Sequence, residues 1–136
     1  MKELLFVCIG SFFGGGMRYL SGKGIALFMN THLPLATLAV NVVGSFLIGM
    51  LSAMALSNNI SPATKLLLIT GFCGGFTTFS TFMNENLLLA RGGQLAWAIA
   101  YTVASISLGI IALIAGYKVG SSCFSFFLLF INTHKS

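Results

Sequence analysis

The chain has 136 residues and a mean hydropathy of +0.97, and only 7% of its residues are charged, whereas soluble domains carry about a quarter. This balance excludes an ordinary soluble domain and predicts an integral membrane protein. The formal charge of +5 comes from seven Lys and Arg that are scattered singly, so no nucleic-acid partner is expected.

Four apolar stretches are long enough to cross a bilayer, which takes about 20 residues per helix. They cover residues 4–29, 34–56, 62–89 and 95–117, and short loops join them. GGGMRY at 14–19 interrupts the first stretch, which is interpreted as a retained helix because no small-residue cleavage site follows its apolar run. The sequence therefore predicts an all-α, multi-pass protein of the inner (plasma) membrane with four transmembrane helices.

The second helix carries polar residues at helical spacing. Thr37, Asn41 and Ser45 recur every fourth residue, which places them on one narrow stripe of an otherwise apolar helix. Such a stripe serves either hydrogen bonds between helices or a polar track through the membrane.

The third helix contains GFCGGFTTFSTF at residues 71–82. Gly74 and Gly75, followed by Thr77 and Thr78, weaken the helix where it crosses the middle of the bilayer. Non-helical backbone at that depth is tolerated only inside protein or along a cavity. We therefore predict a broken third helix whose freed carbonyl oxygens are suitable ligands for a small hard cation.

Two further features follow in the same helix. Phe79 and Phe82 share a face, and their positive ring edges could assist an anion, although plain packing is the simpler interpretation of two Phe at this spacing. Glu85 lies near the membrane interface, where it could pair with Arg91 or Arg18. A structural or gating hydrogen-bond role is favoured for Glu85 over direct contact with an ion.

The fourth helix has a second polar stripe, with Tyr101 and Ser105 one turn apart. Two stripes that supply donors without a central carboxylate suit an anion better than a cation. The apolar segment CFSFFLLFI at 123–131 is too short to span a bilayer. Residues 121–136 are therefore predicted to be a tail outside the four-helix domain of residues 1–120.

The cations are divided almost evenly between the two sides of the membrane. Four fall on the N-terminal side and three on the other: Lys2, Lys65, Lys118 and Lys135 against Arg18, Lys23 and Arg91. Because this bias hardly selects an orientation, the sequence predicts dual topology with antiparallel pairing of two copies.

Small residues mark faces on which helices can approach closely. The pairs Gly10/Gly14, Gly71/Gly75 and Gly116/Gly120 are each four residues apart. They could serve packing within one chain, a face between subunits, or both.

No residues are arranged for catalysis or for metal binding by side chains. Cys8, Cys73 and Cys123 are far apart in apolar sequence and are expected to be buried free thiols. His32 and His134 have no ligand partners at metal spacing. The chain is therefore not expected to be an enzyme.

The motifs together resemble those of a known family. GGFTTFSTF at 74–82 is a specific signal, VNVVGSFLIG at 40–49 supports it, and GGGMRY adds to both. With these motifs, the chain resembles the Fluc (CrcB) family of fluoride channels over roughly residues 4–120.

This resemblance implies an antiparallel homodimer that passes fluoride passively along two pathways, with no protein partner beyond a second copy. A central structural sodium ion would be held by backbone carbonyls that match Gly74 and Thr77 of each subunit. Arg18 matches a family arginine of structural or vestibular role. The positions matched to the fluoride pathway are Thr37, Asn41, Phe79, Phe82, Tyr101 and Ser105, with Ser80 and Thr81 as further hydroxyl donors.

Two other functions are weighed against a channel. A small four-span proton-coupled drug exporter needs an acid in its first span, but Glu3 precedes that span. A non-transporting assembly subunit would not need two aligned donor stripes. The sequence therefore favours a fluoride channel that relieves fluoride toxicity.

Overall fold

A computed structural model describes residues 1–28, 34–57 and 60–133 of the chain, with side chains described no further than residue 122. The regular elements in these ranges are all helical: α1 (Lys2–Phe28), α2 (Leu35–Leu56), α3 (Pro62–Lys65), a π-helical segment (Leu66–Cys73), α4 (Gly74–Phe76), α5 (Phe79–Arg91) and α6 (Leu95–Thr133). Four stretches are long and apolar enough to cross a membrane: Lys2–Leu27, Leu35–Leu56, Pro62–Arg91 and Leu95–Ser122. The prediction of an all-α protein with four transmembrane helices is therefore confirmed.

The third span is divided into two halves by an extended dipeptide. The first half covers residues 62–76 and is capped by Ser61, whose hydroxyl accepts a hydrogen bond from the Thr64 N–H at 3.1 Å. Thr77 and Thr78 then adopt extended backbone angles, and α5 forms the second half. The break therefore follows Gly74 and Gly75, which are themselves helical, and lies at two β-branched residues that accept extended geometry readily.

Gly93 ends α5, the second half of the third span. Gly93 has a φ of 76°, a left-handed conformation that residues with a Cβ rarely adopt. The chain turns there, and the Gln94 N–H donates to the Leu89 carbonyl at 2.9 Å. This arrangement is a common way of stopping a helix, and it places α6 directly after α5.

The helices pack in two pairs that depend on glycine. In the first pair, α1 lies against the first half of the third span: a Cβ on Gly14 would collide with the Phe72 carbonyl oxygen, and one on Gly71 would lie 2.8 Å from the Val7 carbonyl oxygen. In the second pair, α2 lies against α6, where a Cβ on Gly116 would collide with the Phe46 carbonyl oxygen. Glycine packing within one chain is thus observed, and a role between subunits stays a prediction.

Helix α1 runs unbroken through the glycine cluster at residues 14–19. Its glycine-bearing face contacts the third span, whereas Gly15 and Gly16 have open space where a Cβ would lie. Cys8 is exposed, so the prediction that it is buried is wrong. The reason is helical geometry, because Cys8 lies two residues and about 200° from Gly10, which is in the contact.

Cys73 is fully buried and free, as predicted. The predictions for the third cysteine, the two histidines and one of the lysines concern groups outside the described residues. They are the side chain of Cys123 and the residues His32, His134 and Lys135.

Helix α6 continues past the predicted end of the fourth span. It is 39 residues long and passes through residues 117–121 without a break. No Gly or Pro follows Gly120 to stop it. The 121–136 tail is therefore helical as far as Thr133, and its place outside the four-helix domain stays a prediction.

Gly14→Ala is expected to lower the midpoint of thermal unfolding of the purified protein. The added methyl group would overlap the Phe72 carbonyl oxygen, and overpacking of this kind costs about 1–3 kcal/mol. Gly16→Ala on the same helix is the matched control, since its methyl group meets nothing, and it should leave the midpoint unchanged or raise it. Equal midpoints for both variants would contradict the described packing of α1.

Candidate functional site

The break in the third span is stabilised by a side chain of the second helix. The Asn41 carboxamide forms two hydrogen bonds with the backbone of Thr78: its Oδ1 accepts from the Thr78 N–H at 2.8 Å, and its Nδ2 donates to the Thr78 carbonyl at 3.1 Å. A donor and an acceptor that would otherwise need water inside the membrane are thereby satisfied. Asn41 was predicted to contact an ion, and one N–H of its carboxamide is left over for such a contact.

The side chain of Thr78 organises the start of α5. Its hydroxyl accepts from the Thr81 N–H at 3.3 Å and donates to or accepts from the Thr81 hydroxyl at 2.9 Å. This is an N-cap, which replaces the backbone partner that the break removes. The predicted donor Thr81 is therefore engaged within its own half-helix, whereas Ser80 lies exposed beside it.

The same bonds leave two carbonyl groups without their helical donors. In a continuous helix the N–H of Thr78 would serve the Gly74 carbonyl, and the N–H of Thr81 would serve the Thr77 carbonyl. Both N–H groups are instead engaged by side chains, those of Asn41 and Thr78. Carbonyl oxygens in this state are good ligands for a hard cation, and Gly74 is exposed on the surface of the single chain.

Glu85 joins three helices through hydroxyl groups. Its Oε1 accepts from the Thr37 hydroxyl of α2 at 2.6 Å, and its Oε2 accepts from the Tyr101 hydroxyl of α6 at 2.8 Å. Both hydroxyl-bearing residues are buried. The pairing with Arg91 or Arg18 that the sequence left open is not observed in the described part of the chain, because both carboxylate oxygens of Glu85 accept from hydroxyls.

Three aromatic rings form a row beside this carboxylate. The Phe79 and Phe82 ring centroids are 5.8 Å apart with planes tilted by 42°, and those of Phe82 and Tyr101 are 5.1 Å apart with a tilt of 55°. Phe82 is 6% exposed, whereas Phe79 is 74% exposed. Phe79 projects beside Asn41 and Ser45 along an open groove of about 240 Å³.

The stripes of the second and fourth helices lie next to each other. The Ser45 hydroxyl donates to the carbonyl of Asn41 in its own helix at 2.7 Å, and it would lie 3.6 Å from a Cβ on Gly109 of α6. On α6, the hydroxyl of Ser105 is buried and makes no hydrogen bond among the described residues. The two stripes predicted from the sequence are therefore adjacent.

Arg18 lies apart from these groups. It is half-buried on α1 and borders a cavity of about 210 Å³ that Thr37, Thr78 and Thr81 also line. The cavity is enclosed by α1, α2 and the residues at the break. Arg18 therefore belongs to the rim of the site and not to the row of Phe79, Phe82 and Tyr101.

One polar pair was missed from the sequence. Asn86 and Thr102, which directly follow Glu85 and Tyr101, are joined by a bond of 2.8 Å from the Thr102 hydroxyl to the Asn86 Oδ1. The available signal was an amide within an apolar span, which needs a partner in lipid.

Asn41→Ala is expected to lower the thermal unfolding midpoint strongly. The change removes both partners of the Thr78 backbone, and each buried polar group left unpaired costs about 1–3 kcal/mol. Ser45→Ala, one turn away on the same stripe, loses only a bond to its own helix and should change the midpoint little. A mild effect of Asn41→Ala, equal to that of Ser45→Ala, would contradict the proposed support of the break.

Known proteins similar to this chain share most of its length. The family model described as CrcB-like protein, Camphor Resistance (CrcB), matches residues 5–117. A fluoride-specific ion channel FluC of Chlorobaculum tepidum is 48% identical over 117 residues, which cover 85% of this chain and 92% of that protein. The FluC of Chlorobium chlorochromatii is 48% identical over 118 residues (84% and 88%), and that of Allorhizobium ampelinum is 41% identical over 121 residues (88% and 97%).

These relatives are named as ion channels and not as enzymes, which agrees with the class predicted from the sequence. The family match, together with the four helices described above, also confirms a multi-pass membrane protein. The resemblance found in the motifs is confirmed as well: the chain belongs to the Fluc (CrcB) family.

Proposed function

We propose that this protein is a fluoride-specific ion channel that lets fluoride leave the cell passively and so relieves its toxicity. The observation that carries the proposal is the meeting of the Asn41 carboxamide and the Ser105 hydroxyl with a row of aromatic rings beside a helix break. Relatives of 41–48% identity that bear the name of fluoride channels support it independently.

The chemistry of the site suits a small anion. Fluoride holds its water tightly, so a selective path must replace that water with fixed donors. The Ser105 hydroxyl and the remaining N–H of Asn41 are such donors, and the ring edges of Phe79 and Phe82 carry partial positive charge. Uncharged donors also allow the ion to leave again, which conduction requires.

Glu85 is given a supporting role. A free carboxylate beside an anion path would repel the ion, but the two oxygens of Glu85 accept bonds from Thr37 and Tyr101. The carboxylate thereby orients the two hydroxyls and ties α2 to α6 through α5. Passive flow is favoured over proton coupling because this carboxylate lies at the end of the track and is engaged structurally.

The complete channel is proposed to be an antiparallel homodimer with two pathways. One four-helix chain encloses too little space for a water-filled pore of its own. Gly74 and Phe79 are exposed next to the break, where a second copy would cover them. The nearly even division of cations allows both orientations in the membrane.

A sodium ion is proposed to be held at the centre of this dimer by the carbonyls of Gly74 and Thr77 from both copies. The fit rests on the two carbonyls whose helical donors are engaged elsewhere. Backbone carbonyl oxygens are hard ligands of the kind that a small hard cation prefers. When bound, the cation would link the two broken helices and offset negative charge in the nearby pathways.

The two alternatives are less well supported. Drug export by proton coupling needs an acid well inside the first span, whereas Glu3 is exposed and is only the second residue of α1. An assembly subunit has no need of two adjacent polar stripes, on α2 and α6, inside the membrane. Both alternatives also disagree with the names of the relatives.

Proteoliposomes that hold the purified protein are expected to release fluoride rapidly and chloride hardly at all. A fluoride electrode and a chloride electrode follow the two ions in parallel preparations. Release of both ions at similar rates would contradict the proposed selectivity. No release of fluoride from folded protein would contradict the function, provided that a version lacking residues 121–136 is equally inactive.

Phe79→Ile is expected to reduce fluoride release up to about tenfold, because it removes the ring edge while keeping an apolar side chain. Phe12→Ile is the matched control: Phe12 is 76% exposed and Phe79 is 74% exposed, but Phe12 belongs to α1 and does not line the groove beside Asn41. Both variants should elute from a sizing column like the wild type. Equal release by the two variants would remove Phe79 from the proposed pathway.

Withdrawal of sodium is expected to weaken the dimer. A ligand present at a hundred times its Kd stabilises the state that binds it by about 2.7 kcal/mol. The thermal midpoint of the dimer should therefore rise with sodium and not with an equal concentration of N-methylglucamine. A midpoint that is the same in both salts would contradict the sodium site while leaving fluoride release to be judged separately.

A further inference from the structure

Helix α5 cannot take its orientation from the backbone that precedes it. Thr77 and Thr78 are extended, so the helical ladder does not continue from α4 into α5. The Asn41 and Thr78 side chains secure the position where α5 begins. The rotation of α5 about its own axis must be set by contacts further along the helix.

Two neighbouring residues of α5 bond to two neighbouring residues of α6. Glu85 accepts from Tyr101 at 2.8 Å, and Asn86 accepts from Thr102 at 2.8 Å. Successive residues on a helix point about 100° apart. A rotation of α5 in either direction would therefore lengthen at least one of the two bonds.

Asn86 is also tied to the turn that carries Phe82. Its Nδ2 donates to the Phe82 carbonyl at 2.9 Å, so its Oδ1 faces the Thr102 hydroxyl. The orientation of the amide follows from its partners, because a carbonyl can only accept. The ring of Phe82 in turn packs on Tyr101, the neighbour of Thr102.

We propose that Asn86 and Thr102 are a positioning pair for the pathway. The pair sets the rotation of α5, so that Phe82 stays against Tyr101 and the Glu85 carboxylate reaches the Tyr101 hydroxyl. Neither residue has to contact the permeating ion. This inference rests on the proposed channel function only for its effect on flux, since the geometry itself is independent of the ion.

The experiment compares fluoride release by Thr102→Val, Asn86→Leu and the double variant with that of the wild type. Each single change removes the bond with little change in side-chain volume. Release should fall about three- to tenfold, the range expected for one hydrogen bond between membrane helices. The double variant should fall no further than Asn86→Leu, because Thr102→Val removes only the bond that Asn86→Leu has already removed, whereas Asn86→Leu also loses the bond to the Phe82 carbonyl.

Two controls separate positioning from general damage. Thr102→Ser keeps the hydroxyl and should restore release to the wild-type rate. Asn84→Leu makes the same chemical change as Asn86→Leu at an exposed position of the same helix and should leave release unchanged. Losses in the double variant that multiply, or full release by Thr102→Val, would overturn the pairing.

A second measurement reports on the site without using flux. Fluorotyrosine is incorporated into a Tyr19→Phe, Tyr117→Phe background, so that Tyr101 gives the one fluorine resonance in ion-free buffer. Thr102→Val and Asn86→Leu should shift or broaden this resonance, and Thr102→Ser should not. A resonance that is unchanged in both variants would refute the positioning role, whereas an inactive wild type with the expected shifts would refute only the channel function.

Discussion

A helix that breaks inside a bilayer must find partners for the backbone groups that the break releases, because hydrocarbon offers none. Here the carboxamide of Asn41 supplies both partners for Thr78, at 2.8 and 3.1 Å. The second helix must therefore lie directly against the third. Gly44 permits this approach, since a Cβ there would collide with the Thr77 side chain. The Thr78 N–H, which bonds to Asn41, is no longer available to the Gly74 carbonyl. In the same way, the Thr81 N–H bonds to the Thr78 hydroxyl and leaves the Thr77 carbonyl without its helical donor.

The rest of the chain divides into a scaffold and a polar half. Helix α1 and the first half of the third span meet through glycine and bring their backbones close together, which suits association where lipid provides no hydrophobic drive. The polar half consists of α2, α5 and α6. Glu85 connects these three helices through two hydroxyl groups, so the carboxylate and both hydroxyls gain partners without an ion pair.

The sequence predicted much of the site because the relevant patterns are local. The four spans follow from hydropathy, and the stripe of Thr37, Asn41 and Ser45 follows from helical periodicity. The partners were harder to predict. A hydrogen-bond role was favoured for Glu85, but its partners were not predicted: they are hydroxyls of helices that are distant in sequence. Asn86 was overlooked because its partner, Thr102, is on another helix.

By itself, therefore, the sequence determined the number of helices, the existence of a break and the residue types along each face. A bilayer demands about 20 apolar residues per span, and a helix repeats every 3.6 residues whatever lies beside it. The tertiary structure decided which groups bond to which, how far the break lies beyond Gly74, and which side of α5 faces α6. These choices depend on donor–acceptor distances near 3 Å between side chains of different helices. Such distances are set only when the glycine faces have packed and each helix has a fixed rotation.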